Sequence, residues 1–215
     1  MKKIILLLMI IISHAFSQNI NNWTWAKLYG GNYADGSNSI TTDGTYIYQT
    51  GYWVSDINFG NGYNFGIYVT GNNFFLHKAD NAGNTQWAKV IISDNATVGS
   101  VVHAAKNNRL IVGGTTMGST ILNNPHTLNN PFPGKRMIFL LQYDTSGNLL
   151  WSQRMVSPNH QDITNIKTDK DNNIYIAGYF QGKYLVYAND TLFNTDTSGI
   201  SIDVKFHQVV DENLA

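Results

Sequence analysis

The chain has 215 residues, 14 Lys and Arg against 14 Asp and Glu, and no Cys. A near-neutral chain without basic clusters argues against nucleic acid and anionic membrane partners, and the lack of Cys rules out disulfide stapling. Only 13% of residues are charged and Glu occurs once, at Glu212, whereas Asn, Gly and aromatics abound, so the composition points to strands and tight turns in an all-β fold.

At the N-terminus, Met1-Lys2-Lys3 leads into Ile4–Ile12 without a polar residue, then Ser13-His-Ala15-Phe-Ser17-Gln18. A basic start, a short apolar run and a small-x-small site form the layout of a secretory signal peptide. The apolar run is far shorter than the ~20 residues that cross a bilayer. Residues 1–18 are therefore read as the signal-peptide region, with cleavage expected after Ser17, and residues 19–215 as the repeat region. The mature chain is expected to be secreted, extracellular or at the cell surface, with no integral membrane segment. Loss of Lys2 and Lys3 takes the net charge from 0 to −2.

Next comes Trp23-Thr-Trp25-Ala-Lys-Leu-Tyr29, which reads as a strand. Its Trp recurs. Ala79-Asp80-Asn-Ala-Gly83-Asn84-Thr-Gln-Trp87 is repeated as Tyr143-Asp144-Thr-Ser-Gly147-Asn148-Leu-Leu-Trp151. A fixed period carrying a Gly turn and a large aromatic marks a stacked repeat architecture. Aligning Trp25, Trp87 and Trp151 aligns Ile40, Val102 and Ile166. The short strands that end at Gly51, Gly114 and Gly178 then align too. A Gly- and Asn-rich stretch follows in each copy, at Ser55–Asn73 and Thr116–Arg136 in the first two. An apolar strand then runs into the Asp-x-x-Gly-Asn turn. Each unit thus reads as two antiparallel hairpins joined by a variable connection, with Gly in the left-handed position of the turn.

By Trp spacing the units are approximately 23–86, 87–150 and 151–215. In strand phase they run from about Ser37 to Ile92, from about Gly99 to Val156, and from near Asp162. Val204–Phe206 is expected in the third strand of the last unit, and Asp211-Glu-Asn213 looks like a shortened copy of the turn. The strands are apolar on both sides more often than they alternate, as in sheets covered on both faces.

The pattern Trp-Ala-Lys…Gly-Gly, Ile-Tyr-x-x-Gly and Phe-x-x-Lys-x-Asp-x-x-Gly-Asn-x-x-Trp resembles the β-propeller repeat of secreted bacterial proteins (SBBP-type repeat). Those proteins often end in a type IX secretion sorting domain. The resemblance covers about Trp23 to Asp211. It implies a β-propeller-type array of about three four-stranded antiparallel blades. It assigns Trp25, Trp87, Trp151, Asp80, Gly83, Asp144 and Gly147 to the repeat frame. Asp-x-x-Gly-x-x-x-Trp also resembles the tryptophan-docking motif of quinoprotein propellers, in which the ring packs between blades. Three units are fewer than the usual 4–8 blades, and no sorting domain follows Ala215, so the expectation is an incomplete or open propeller.

Motifs for chemistry are weak. Gly113–Thr120 nearly spells a phosphate loop but has Ser119 where Lys is needed. Asp169–Asn173 resembles a calcium loop, but Ile174 and Phe180 stand where an EF-hand needs Gly and Glu. His77, His103, His126, His160 and His207 have no metal-ligand spacing. The expectation is no catalytic residue, no metal and no cofactor. The aromatics of the long connections, Tyr52, Trp53, Phe59, Tyr63, Tyr184 and Tyr187, sit among Asn and Gly. They are the candidate ligand contacts, because binding residues concentrate on loops held by a rigid scaffold. The competing reading is that they fold back over blade edges. The expected function is extracellular binding or scaffolding, with a glycan or a protein as partner. The alternatives are a propeller-type hydrolase or lyase and a non-functional fragment of a longer protein. Asp and His clustered on the innermost strands would favour the enzyme; Asn, Thr and aliphatic groups there would favour binding.

Overall fold

The structure is a computed structural model that describes residues 24–66, 71–123, 126–195 and 204–210. All regular elements among them are strands: β1 Gly36–Thr42, β2 Tyr46–Trp53, β3 Asp56–Asn58, β4 Asn64–Gly66, β5 Asn73–Asp80, β6 Thr85–Ile91, β7 Thr97–Ala105, β8 Arg109–Thr116, β9 Thr120–Asn123, β10 His126–Leu128, β11 Met137–Asp144, β12 Leu149–Val156, β13 Gln161–Thr168, β14 Ile174–Phe180, β15 Tyr184–Tyr187, β16 Asp190–Phe193 and β17 Val204–Val210. The first sheet has the order β1-β2-β5-β6. The second is β7-β8-β11-β12, extended beyond β12 by β15 and β16, and the third is β13-β14-β17. All neighbours are antiparallel, and the pairings Gly51↔Phe75, Gly114↔Phe139 and Gly178↔Phe206 repeat one register three times. The architecture is an all-β, propeller-like array. The turn copy at Asp211-Glu-Asn213 and the signal sequence lie outside the described residues.

The sheets stack because their central strands are apolar on both faces. In the second sheet, Leu110, Val112, Phe139 and Leu141 face the first, where they meet Tyr48, Phe74, Leu76 and Trp87. The alternate residues Ile111, Ile138 and Leu140 face the third sheet and meet Ile163, Ile166, Ile174 and Ile176. A run such as Met137-Ile-Phe-Leu-Leu141 therefore feeds two cores at once, which is why it shows no alternation. Full burial of each such side chain is worth ~1.5–3 kcal/mol.

The innermost strands β1, β7 and β13 lie side by side. Small polar groups link the first two: Asn38 Nδ2 donates to Gly99 O (2.8 Å) and Ser39 Oγ accepts from Val102 N (3.1 Å). Gly99 is required here, since a Cβ would lie 2.0 Å from Thr50 Oγ1 and 2.9 Å from the Phe74 ring.

The variable connections are not open loops. Each folds into a hairpin that reaches back to the last strand of the preceding unit. β3–β4 bridges Asn58 to Gly30, β9–β10 bridges Thr120 to Ser93, and β15–β16 pairs Tyr187 and Val186 with Met155 and Val156. These back-reaching hairpins tie successive units together through main-chain bonds.

Candidate functional site

The repeated turn is built by its Asp. Asp80 Oδ1 accepts from the backbone N–H of Ala82 and Asn84 (2.9 and 2.8 Å), and Oδ2 accepts from Asn84 Nδ2 (3.1 Å). Asp144 repeats this with Ser146, Asn148 and Asn148 Nδ2 at 2.9, 2.8 and 2.8 Å. Hydrogen bonds from Asn84 hold the Asp80 carboxyl below its ordinary pKa. Partial burial opposes the same effect at Asp144, but the bonds from Asn148, Ser146 and Gly147 prevail there too. Gly83 and Gly147 close the turns at φ 74° and 86°, a conformation that costs other residues ~1–2 kcal/mol.

Each Gly also makes room for the Trp of the preceding unit. A Cβ on Gly83 would lie 2.9 Å from the Trp25 ring, and one on Gly147 would lie 3.3 Å from Trp87. The indole N–H completes the dock: Trp25 Nε1 donates to Asn81 O (2.6 Å) and Trp87 Nε1 to Thr145 O (3.1 Å). Lys78 Nζ reaches the same Thr145 carbonyl (2.8 Å) while lying 3.7 Å over the Tyr46 ring. Trp151 is buried in the core between the second and third sheets. Trp25, Trp87, Asp80, Gly83, Asp144 and Gly147 therefore sit together at unit boundaries.

The six candidate contact aromatics divide. Trp53 and Phe59 are fully buried with Ile57, Phe75 and Ala88, so neither offers a face to a ligand. Tyr187 is buried in the core between the second and third sheets. Tyr63 is half-buried and donates its OH to Gln86 O (3.0 Å), and the half-buried Tyr52 ring lies over Gly36. Burial thus removes three of the six from the surface, and Tyr52, Tyr63 and Tyr184 stay half-buried. Tyr184 differs. With Pro131, Phe132, Arg154 and Val186 it lines a groove of about 370 Å³ between β15 and the loop before β11. Arg154 is fixed there by donating to Asn129 O.

A larger cleft of about 750 Å³ opens between residues 24–29 and the free face of the first sheet. His77 stands at its inner end. It is 1% exposed, stacked on Phe59 at 4.6 Å and edge-on to Tyr29 at 4.7 Å. Both its nitrogens are engaged, with Gln49 Nε2 at Nδ1 and Thr85 Oγ1 at Nε2, each at 2.9 Å. Burial pushes its pKa down to about 4. Sequence spacing sets His77 apart only as a residue without a metal-ligand partner and does not show its place as a hub. The available signal was position: the aligned residue of the second unit is Leu141.

Among the described residues, no three His, Asp or Glu side chains come together as metal ligands. The Asp169 carboxylate is taken up by its own hairpin turn, accepting from Asp171 N, Asn173 N and Asn173 Nδ2 at 2.8–3.0 Å. On the innermost strands the ionisable groups that bear on hydrolysis are His103 and Asp162, and they are engaged separately. His103 Nε2 bonds Thr168 Oγ1 (3.0 Å), and Asp162 faces Arg136 (3.7 Å).

No family model matches the chain. An uncharacterised WD repeat-containing protein of Acanthamoeba polyphaga mimivirus is 26% identical over 125 residues, a match that covers 54% of this chain. The chain spans about 9% of the length of that protein. The similarity is to a repeat protein of the propeller type, in keeping with the stacked four-stranded units.

Proposed function

We propose that this chain is a secreted binding or scaffolding module of the bacterial β-propeller repeat type. The observation that carries this reading is a frame that repeats while its hairpins do not. The Asp turn, Gly and Trp dock recur with the same partners, whereas the three hairpins differ in length and side chains. The innermost strands add support. They present mainly Ser, Thr, Asn and aliphatic groups, and His103 and Asp162 are not paired as acid and base. The contact region is the groove at Tyr184, where Phe132 and Tyr184 supply ring faces and Arg154 a charge. Such a surface suits the face of a sugar ring or an extended peptide.

Native gel electrophoresis through soluble xylan, mixed-linkage glucan and galactomannan tests the glycan form. One of these should retard the chain, and Tyr184→Ala should weaken retention roughly tenfold, the loss of one good stacking contact. Release of reducing sugar by the purified chain would replace binding with hydrolysis. Secretion has its own readout. Protein recovered from the medium should begin at Gln18, and an intact Met1 would defeat it.

A further inference from the structure

The large cleft is lined by Ile40, Ile47, Gln49, His77 and Ala79 of the first sheet. Strand register gives each a counterpart in the second sheet: Val102, Leu110, Val112, Leu141 and Tyr143. All five counterparts are core residues packed under the first sheet. In the third unit Ile166, Ile174 and Ile176 hold the same positions, packed under the second sheet. Exposure shows the difference. At the innermost strand Ile40 is 67% exposed, while Val102 is 4% and Ile166 1%; His77 and Ala79 are already buried at 1% and 4%. The cleft is thus the seat of a sheet, built like the two occupied seats.

Residues 24–30 show how that sheet would lie. Trp25 docks on Gly83 as Trp87 docks on Gly147, so the segment stands to the first sheet as β6 stands to the second. It holds the place of a fourth strand, and no third strand pairs with it among the described residues. The third sheet is the complement. Its described order is β13-β14-β17, leaving β17 as a free third-strand edge. Its far face carries Tyr175, 43% exposed, at the position where Tyr48 and Ile111 are 0% and 1% exposed. Tyr175 even keeps the tyrosine–aspartate bond of Tyr48. Its OH donates to Asp169 Oδ2 at 3.0 Å, as that of Tyr48 does to Asp43 Oδ2 at 2.8 Å.

We infer that the third sheet of a second copy of this chain seats on the first sheet, with residues 24–30 completing it as a fourth strand beside β17. Free sheet edges recruit strands, and exposed apolar seats recruit cover. Head-to-tail repetition of this contact makes a ring or a filament. The same chain's third sheet is a poor occupant, since the three sheets among the described residues fall below the usual closure number. The internal pairings Trp87↔Lys78 and Trp151↔Gln142 set the register, which places Trp25 opposite Val209 and Ala26 opposite Gln208.

The chain has no Cys, so cysteine trapping has no native background. Single variants Ala26→Cys and Gln208→Cys, mixed in glutathione buffer, should give a disulfide-linked dimer. Thr164→Cys in place of Gln208→Cys should give none. Light scattering of the unmodified chain should show weight-average mass rising at least twofold with concentration. Ile40→Asp, a change at an exposed position of the single chain, should weaken this association at least tenfold and leave unchanged the thermal midpoint read at a dilution where both chains are monomeric. A double variant Ala26→Cys, Gln208→Cys that closes within a monomer would assign the seat to the chain's own third sheet. Constant monomer mass with no mixed dimer, or Ile40→Asp associating like the unmodified chain, would also overturn the inference.

Discussion

Trp87→Ala should lower stability by ~3–5 kcal/mol, the range for truncating a buried Trp. Three losses add. The ring is 9% exposed and packs with Tyr48, its centroid 6.2 Å away, and with Tyr143 in the core between the first two sheets. Its removal opens a void beside Gly147, whose backbone is set at φ 86° and leaves room for the indole. It also takes the Nε1–H from Thr145 O, leaving Lys78 as that carbonyl's side-chain donor. Urea unfolding should show the midpoint shifting with little change in slope. Trp25→Ala is the internal control. It removes the same type of dock at Gly83, but Trp25 is 38% exposed and packs beside an open cleft. Its cost should stay under about 2 kcal/mol, as for a partly exposed site. Equal costs would show that burial is not what distinguishes the two docks.

The frame was legible in the sequence because its determinants are local. Asp80, Gly83 and Trp87 lie within one turn and the strand after it, and their copies at Asp144, Gly147 and Trp151 keep the same spacing. Two-sided apolar runs announced sheets buried on both faces, and Phe139 and Leu140 do face opposite cores. The hairpins were not legible. β3 and β4 are three residues each, and β16 is exposed throughout, so neither carries a period-two pattern. Their partners are also distant. Asn58 bridges Gly30, and Val186 pairs with Val156, contacts that no local pattern encodes. For the same reason the Gly- and Asn-rich stretches read as open binding loops, although Phe59 within the first of them and Trp53 at the end of β2 before it are core. The place of the Trp25 strand was legible through its Trp. It is docked on the turn of the first unit, as its alignment with Trp87 requires.

His77 gives the second large effect, as acid sensitivity well above the carboxylate range. The imidazole is sealed beneath Phe59 and Tyr29, with Gln49 and Thr85 on its two nitrogens. Burial disfavours the charged ring, and its pKa falls from 6.5 to about 4. The unfolded chain therefore binds a proton that the folded chain does not between those two values. The stability from a neutral His77 is complete above pH 6.5 and is lost as pH falls from there toward 4. At ~1.4 kcal/mol per pKa unit, the full loss is on the order of 3 kcal/mol. Burial also lowers His103 and His160, so they add in the same direction, whereas Asp43, Asp80 and Asp144 lose their turn bonds only at lower pH. Urea midpoints measured from pH 7.5 to 4.5 should fall steadily below pH 6.5. His77→Gln keeps a donor and an acceptor at the site but cannot titrate. It should be less stable at pH 7.5 and should remove most of the slope between pH 6.5 and 4.5. A slope unchanged in His77→Gln would place the acid-sensitive group elsewhere, with His103 beside Thr168 the next residue to replace.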